Sequence, residues 1–214
     1  MQYVLYRRLT KEVSQLVKIR NSQIYTIHNP IGNEFDFTPK LLNKECPRIL
    51  HLGTKPNKNL INSIKALSGI PCHLRIIGKL SQNEKSLLQN SNMDYSNAYN
   101  LSDDEIVDEY KICDIVNFPS LYEGFGLPII EAQAIGRVCI TSNIEPMVSI
   151  ANGGAYIVNP HDIASIHNAY IKVIHWEELR NELITKGRNN IENYKLSSII
   201  KQYVKIYKQL IDKN

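Results

Sequence analysis

The chain has no long apolar run. No stretch of it approaches the ~18 consecutive apolar residues that a membrane-spanning helix needs. No signal-peptide pattern stands at Met1. Paired cysteines are absent too. Cys46, Cys72, Cys113 and Cys139 are widely spaced, form no Cys-x-x-Cys pair and have no histidine cluster beside them. Most lie in or beside apolar runs. Buried, reduced thiols in a cytoplasmic protein are therefore expected, rather than disulfides or a metal centre. No Gly-x-Gly-x-x-Gly follows the first strong strand candidate, so the phosphate loop of a nicotinamide-binding domain is missing. Internal repeats and low-complexity segments are absent. A net charge of +4 over 214 residues is too small to indicate nucleic acid.

What is present is an ordinary globular composition, 43% hydrophobic, in a chain long enough for a substantial core. The charge is unevenly placed. Residues 1–20 and 195–214 each carry +4, which leaves −4 in the middle. The excess falls on two segments with helical apolar spacing. Such basic faces are either plainly solvated or able to rest on anionic lipid.

Strand and helix candidates alternate along the chain. Leu9, Val13, Leu16 and Val17 recur at helical spacing between Tyr6 and Ile19. Gln23 to Ile27 reads as a strand, broken by Asn29-Pro30-Ile31-Gly32. Arg48 to Leu52 is a strand ending at Gly53. The loop Thr54-Lys55-Pro56-Asn57-Lys58-Asn59 follows, then a helix to about Leu67. His73 to Ile77 is the next strand. Ser81-Gln82-Asn83-Glu84 and Ser102-Asp103-Asp104-Glu105 are capping boxes, each opening a helix. Tyr95 to Leu101 is expected to contain a turn. Val138 to Thr141 and Ala155 to Val158 are further strands. Ile163, Ile166, Ala169, Tyr170, Val173 and Ile174 form a helical stripe. Glu177 to Tyr194 is mostly helical, and Ile199, Ile200, Tyr203, Ile206, Tyr207, Leu210 and Ile211 form a last stripe. This alternation predicts an α/β fold: a doubly wound, Rossmann-like parallel sheet with helices on both faces.

The most informative stretch is Phe118 to Glu131, Phe-Pro-Ser-Leu-Tyr-Glu-Gly-Phe-Gly-Leu-Pro-Ile-Ile-Glu. The apolar run Ile115 to Phe118 precedes it as a short buried strand. Pro128 suits the first turn of a helix, and Gly136 suits its end. The segment thus reads strand, glycine loop, helix, a corner at the carboxyl end of a strand, where open α/β sheets bind ligands. Gly124 and Gly126 are expected to take positive φ and let a ligand approach the backbone. Unpaired N–H groups at the helix start favour a phosphate or sugar oxygen. Glu123 and Glu131, facing the same crevice, suit hydroxyls. Lys58, near the start of the earlier helix, suits a diphosphate. Each feature taken alone also fits a solvated loop.

Pro119 to Ala132 matches every fixed position of Pro-Ser-x-x-Glu-Gly-Phe-Gly-Leu-Pro-x-x-Glu-Ala. It resembles the signature of the retaining nucleotide-sugar glycosyltransferases of the GT-B fold, group 1 (family four). The resemblance covers about residues 20–210. It implies the carboxy-terminal, donor-binding half of a two-domain enzyme. Residues 1–40 would be a remnant of the amino-terminal domain with its linker, 41–195 the nucleotide-sugar-binding domain, and 196–214 a carboxy-terminal amphipathic helix. It implies that Glu123 contacts the donor sugar as the catalytic-site carboxylate. The backbone at Phe125, Gly126 and Leu127 would lie along sugar and diphosphate. Glu131 would hold the ribose, and Gly53 with Lys58 the diphosphate. Thr54 stands where the family often has an arginine, with Lys55 next to it. Glu145 matches a commonly acidic position near the donor, and it equally suits a helix cap.

The reaction implied is transfer of a sugar from a nucleoside-diphosphate sugar to an acceptor hydroxyl with retention, in polysaccharide or glycan assembly. No metal or other cofactor is called for. The expected partners are the nucleotide-sugar donor, a glycan or lipid-linked acceptor, and a separate amino-terminal GT-B domain chain. A cytoplasmic location with peripheral membrane contact, and no nucleic acid, completes the expectation. Two other readings stand beside it: a truncated nucleotide-sugar-binding module without independent activity, and a related enzyme such as a nucleotide-sugar epimerase.

Overall fold

The computed structural model describes residues 3–4 and 24–211. The helix expected over Tyr6 to Ile19 lies outside these residues. β1 (Tyr3–Val4) pairs in parallel with β2 (Ile24–Tyr25), the short core of the strand expected at Gln23 to Ile27. The main domain then runs β3 (Arg48–Leu52), α1 (Leu60–Ala66), β4 (His73–Ile77), α2 (Gln82–Asn90), β5 (Tyr95–Ala98) and α3 (Asp103–Ile112). It continues with β6 (Ile115–Phe118), α4 (Leu127–Ile135), β7 (Val138–Ser142), α5 (Met147–Ala151), β8 (Tyr156–Val158), α6 (Ile163–His175), α7 (Glu177–Ile191) and α8 (Leu196–Ile211).

Strands β3 to β8 form one six-stranded sheet, ordered β5-β4-β3-β6-β7-β8, with every neighbouring pair parallel. The strand order reverses between β3 and β6, a switch point at whose carboxyl ends open α/β sheets bind ligands. Neighbouring residues along each strand enter opposite cores, as a period of two requires. Ile49, Ile115 and Ile140 pack with α1 and α6, whereas Leu50, Val116 and Cys139 pack with α3, α4 and α5. Ile49, Leu50, Ile115 and Val116 are fully buried. Each such side chain contributes ~1.5–3 kcal/mol relative to an exposed one. The protein is therefore α/β and doubly wound.

Local chemistry sets the helix ends. Both expected capping boxes form: Glu84 N–H donates to Ser81 Oγ at 3.3 Å, and Ser81 N–H donates to Glu84 Oε2 at 2.7 Å. Ser102 and Glu105 repeat the arrangement. Gly136 ends α4 in the left-handed region, with φ +81°.

Several expectations change. Tyr95 to Ala98, the start of the segment expected to contain a turn, is the edge strand β5, held by main-chain pairing to β4, and the chain bends after it at Asn100. Three of the thiols are buried, but Cys46 is exposed because it sits in the irregular segment before β3; all four are free. Among the described residues of α8, Ile199 and Ile206 are buried, against Ile27, while Ile200, Tyr207 and Ile211 are exposed. No helix among the described residues is long and apolar enough to cross a membrane.

Candidate functional site

Two loops face each other across the switch point. The first follows β3. Gly53 takes φ +88°, and a Cβ there would lie 2.9 Å from Lys58 Cγ. The missing side chain is what lets the Lys58 stem fold across the turn. Pro56–Lys58 forms a single 3-10 turn, and Asn59 follows in the left-handed region at φ +63° before α1 begins. The second loop follows β6. Gly126 takes φ +109° and precedes the first residue of α4, with Pro128 in the first helical turn. Gly124 is not in the positive-φ region, contrary to expectation. Nothing lies within 4 Å of a Cβ placed there, so its surroundings are open. Only one positive-φ residue is needed to turn the chain into the helix.

The loops bring together side chains 65 positions apart. Lys58 Nζ lies 2.7 Å from Glu123 Oε1 and 4.9 Å from the centre of the Phe118 ring. The lysine and glutamate side chains are 21% and 13% exposed. This partial burial makes their attraction stronger than that of a surface pair. Two asparagines lock the arrangement. Asn57 Nδ2 donates to Tyr122 O at 3.0 Å and more weakly to Glu123 Oε1 at 3.4 Å. Asn59 Nδ2 donates to Pro119 O at 3.0 Å and to Pro160 O at 2.7 Å, which joins the loops after β3, β6 and β8. The two Asn59 bonds are buried and so satisfy carbonyls that water does not reach.

Glu131 lies one turn into α4. Its Oε2 accepts a 2.5 Å hydrogen bond from the Tyr110 hydroxyl of α3. Burial raises the Glu131 pKa, and the Tyr110 hydrogen bond opposes that rise. Nearby Glu34 adds to it and Lys58 subtracts from it. Tyr110 is fully buried, and burial with the adjacent Glu131 charge pushes its pKa well up. Beneath the first loop, His51 pairs across the strands with Asn117 at 2.8 Å between Nδ1 and Nδ2. Burial lowers the His51 pKa to about 4, the Gly53 backbone opposes that shift, and the Lys58 charge adds to it. The imidazole is therefore neutral near pH 7 and adds no charge to the crevice.

The predicted residues divide by what they do. Gly53, Lys58 and Glu123 meet at the switch point through the contacts above, Gly126 turns the chain into α4, and Glu131 lies one turn further on, close enough to Lys58 to feel its charge. The Phe125 side chain is buried against His28 and Tyr194, at ring distances of 5.7 and 6.1 Å, so it anchors the loop. Leu127 is 40% exposed at the helix start. The Thr54 hydroxyl donates to Lys79 O at 2.8 Å. The cap of α5 is Pro146, so Glu145 is not the helix cap. Sequence reasoning missed Asn57, Asn59, Tyr110 and the His51–Asn117 pair. The available signal was two asparagines flanking Lys58; Tyr110 and His51 gave none, since each sits in an apolar pattern.

The parts suit a phosphorylated, hydroxyl-rich ligand: an ammonium group, the N-terminus of a nine-residue helix, and two carboxylates. The fold is a doubly wound α/β domain with the Lys58–Glu123 pair and the start of α4 at its switch point. The family model for glycosyl transferases group 1 matches residues 33–190, and the chain belongs to that family. The serotype-specific mannosyltransferase WbdA of Escherichia coli is 27% identical over 207 residues, covering 85% of this chain and 25% of that protein. The chain thus spans about a quarter of that relative's length. Among solved structures, a glycosyltransferase from Rickettsia africae superposes with a TM-score of 0.83 at 22% identity, over 99% of this chain and 64% of that one. Anabaena HepE, solved with UDP and glucose, gives 0.83 at 13% identity, over 97% and 63%. These two likenesses concern the fold.

Proposed function

We propose that the chain is the donor-binding, carboxy-terminal half of a retaining GT-B glycosyltransferase that builds a polysaccharide or other glycan. It takes a sugar from a nucleoside-diphosphate sugar and passes it to an acceptor hydroxyl with retention. The observation that carries this reading is the Lys58–Glu123 pair at the switch point, set beside the N-terminus of α4. The lysine and the helix N–H groups take the diphosphate. They also stabilise the charge that develops on the leaving group. That positive charge is why the reading calls for no metal ion or other cofactor. Glu123 turns from Lys58 to the donor sugar hydroxyls at the reaction centre. Glu131 holds the ribose. Gly124, Gly126 and Leu127 offer main chain along sugar and diphosphate, and Gly53 makes room for Lys58. The UDP and glucose named with HepE are in keeping with this ligand class.

Catalysis requires donor and acceptor to be held together in near-attack geometry. In this reading residues 1–40 belong to an amino-terminal domain and its linker, which supply the acceptor side from a separate chain or a longer form of this one. Residues 196–214 form the helix that reaches it. The exposed seam of α8, with Leu196, Ile200, Val204, Tyr207 and Ile211, supports a docking role. Lys201, Lys205 and Lys208 beside that seam support peripheral contact with the cytoplasmic membrane face and a lipid-linked acceptor. The test is sugar transfer from GDP-mannose, UDP-glucose or UDP-galactose to a glycoside acceptor, with the new anomeric centre read by proton NMR. An α-configured product supports the reading. A β-configured product, or free nucleotide with an epimerised sugar, contradicts it.

A further inference from the structure

Glu131 would be a poor ribose ligand without help. It is a flexible side chain on the crevice side of a helix whose neighbours Ile130 and Ala132 are fully buried. A carboxylate free to change rotamer must be ordered each time a nucleotide binds, and that ordering weakens binding. Here it is already ordered. The Tyr110 ring is fully buried, with the Phe35 ring edge-on at 5.5 Å and 82°. Its hydroxyl reaches Glu131 Oε2 at 2.5 Å. A carboxylate has about four lone-pair sites, so one hydrogen bond to Oε2 leaves Oε1 free to accept from a diol.

We propose that Tyr110 is a positioning residue for nucleotide recognition. Its hydroxyl holds the Glu131 carboxylate in the rotamer that accepts both ribose hydroxyls, and so sets the preference for ribonucleotides. The proposal rests on the ribose role of Glu131 given above. The groups that face Glu131 are Tyr110 from α3, Lys58 from the loop after β3, and Glu34 from the segment before β3. Tyr110 and Lys58 favour the ionised carboxylate, and Glu34 opposes it. Tyr110→Phe removes one stabilising partner and leaves the ring in place. Glu131 then takes up a proton at higher pH than in the parent chain.

The experiment titrates the full chain, Tyr110→Phe and Glu131→Gln with UDP and GDP and with their 2′,3′-dideoxy counterparts, from pH 5 to 8. Melting curves establish that each variant is folded. Tyr110→Phe is expected to weaken the bound ribonucleotide about three- to tenfold and its dideoxy form less than about twofold. The pH at which ribonucleotide affinity falls off should move upward. Equal weakening of both forms, or no change in affinity and pH profile, overturns the proposal. Glu131→Gln separates the two levels. If it abolishes the ribose preference while Tyr110→Phe does not, only the positioning role fails. If it leaves that preference untouched, or the folded parent chain binds neither nucleotide, the ribose reading fails and takes the proposal with it.

Discussion

Removing Glu123 should favour a bare nucleoside diphosphate over a nucleotide sugar. The Glu123 carboxylate is the counterion of Lys58, at 2.7 Å. A diphosphate that arrives must share or displace it, and meets a like charge as it does so. The pair is 21% and 13% exposed, so its strength falls between two measured limits. Exposed pairs contribute ~0.2–1 kcal/mol, and breaking a fully buried pair costs ~3–5 kcal/mol. Taking ~1–2 kcal/mol, Glu123→Ala should tighten a bare nucleoside diphosphate about 5- to 30-fold. A nucleotide sugar gains the same relief but loses carboxylate–hydroxyl bonds of ~1.5–3 kcal/mol. Its affinity should end between about twofold tighter and about 30-fold weaker, and the ratio of sugar-nucleotide to bare-nucleotide affinity should fall about 10- to 100-fold. Calorimetric titration of both ligands into both proteins, at fixed ionic strength, reads this ratio directly. Parallel changes in the two affinities would refute the claim that Glu123 contacts the sugar.

Other consequences follow from the same contacts. His51 has its pKa lowered to about 4 in the folded chain against an ordinary value of 6.5, so in that interval the unfolded state binds the extra proton. Stability should fall by about 3 kcal/mol as pH drops from 6.5 to 4, and His51→Gln should flatten that part of the melting-temperature profile; an unchanged slope would contradict the buried neutral imidazole. Asn59→Ala loses two buried hydrogen bonds and leaves an alanine at φ +63°, so a loss of ~2–3 kcal/mol, or about 4–10 °C in melting temperature, is expected, with Asn59→Gly losing less. Glu145→Ala should change nucleotide-sugar affinity less than about twofold, because an exposed carboxylate is screened by solvent. A loss as large as that in Lys58→Ala would move the donor site toward the loop before α5.

Much of the architecture was legible because it rests on local rules. The apolar runs at β3, β4, β6 and β7 are short and continuous, as buried parallel strands require. The serines and glutamates of the two capping boxes act within four residues of each other. β5 was hidden because Tyr95-Ser96-Asn97-Ala98 is a polar edge strand whose pairing comes from main-chain atoms. The crevice residues could be named from one dense motif and one lysine. Their coupling could not, because the 2.7 Å Lys58–Glu123 contact joins loops from opposite sides of the switch point. Tyr110 occupies an apolar position in its helix, and only the fold aims its hydroxyl at Glu131. In the same way, Phe125 belongs to the motif for its backbone and to the core for its ring.

The central claim is that the crevice holds a nucleoside diphosphate through Lys58. Titration of the purified chain with UDP, GDP and ADP, repeated with Lys58→Ala, tests it most directly. The account predicts saturable binding of one nucleotide, weakened about ten- to a hundredfold in the variant, as loss of a charge-assisted phosphate contact implies. No binding by a well-folded chain, or equal binding by both proteins, would contradict it.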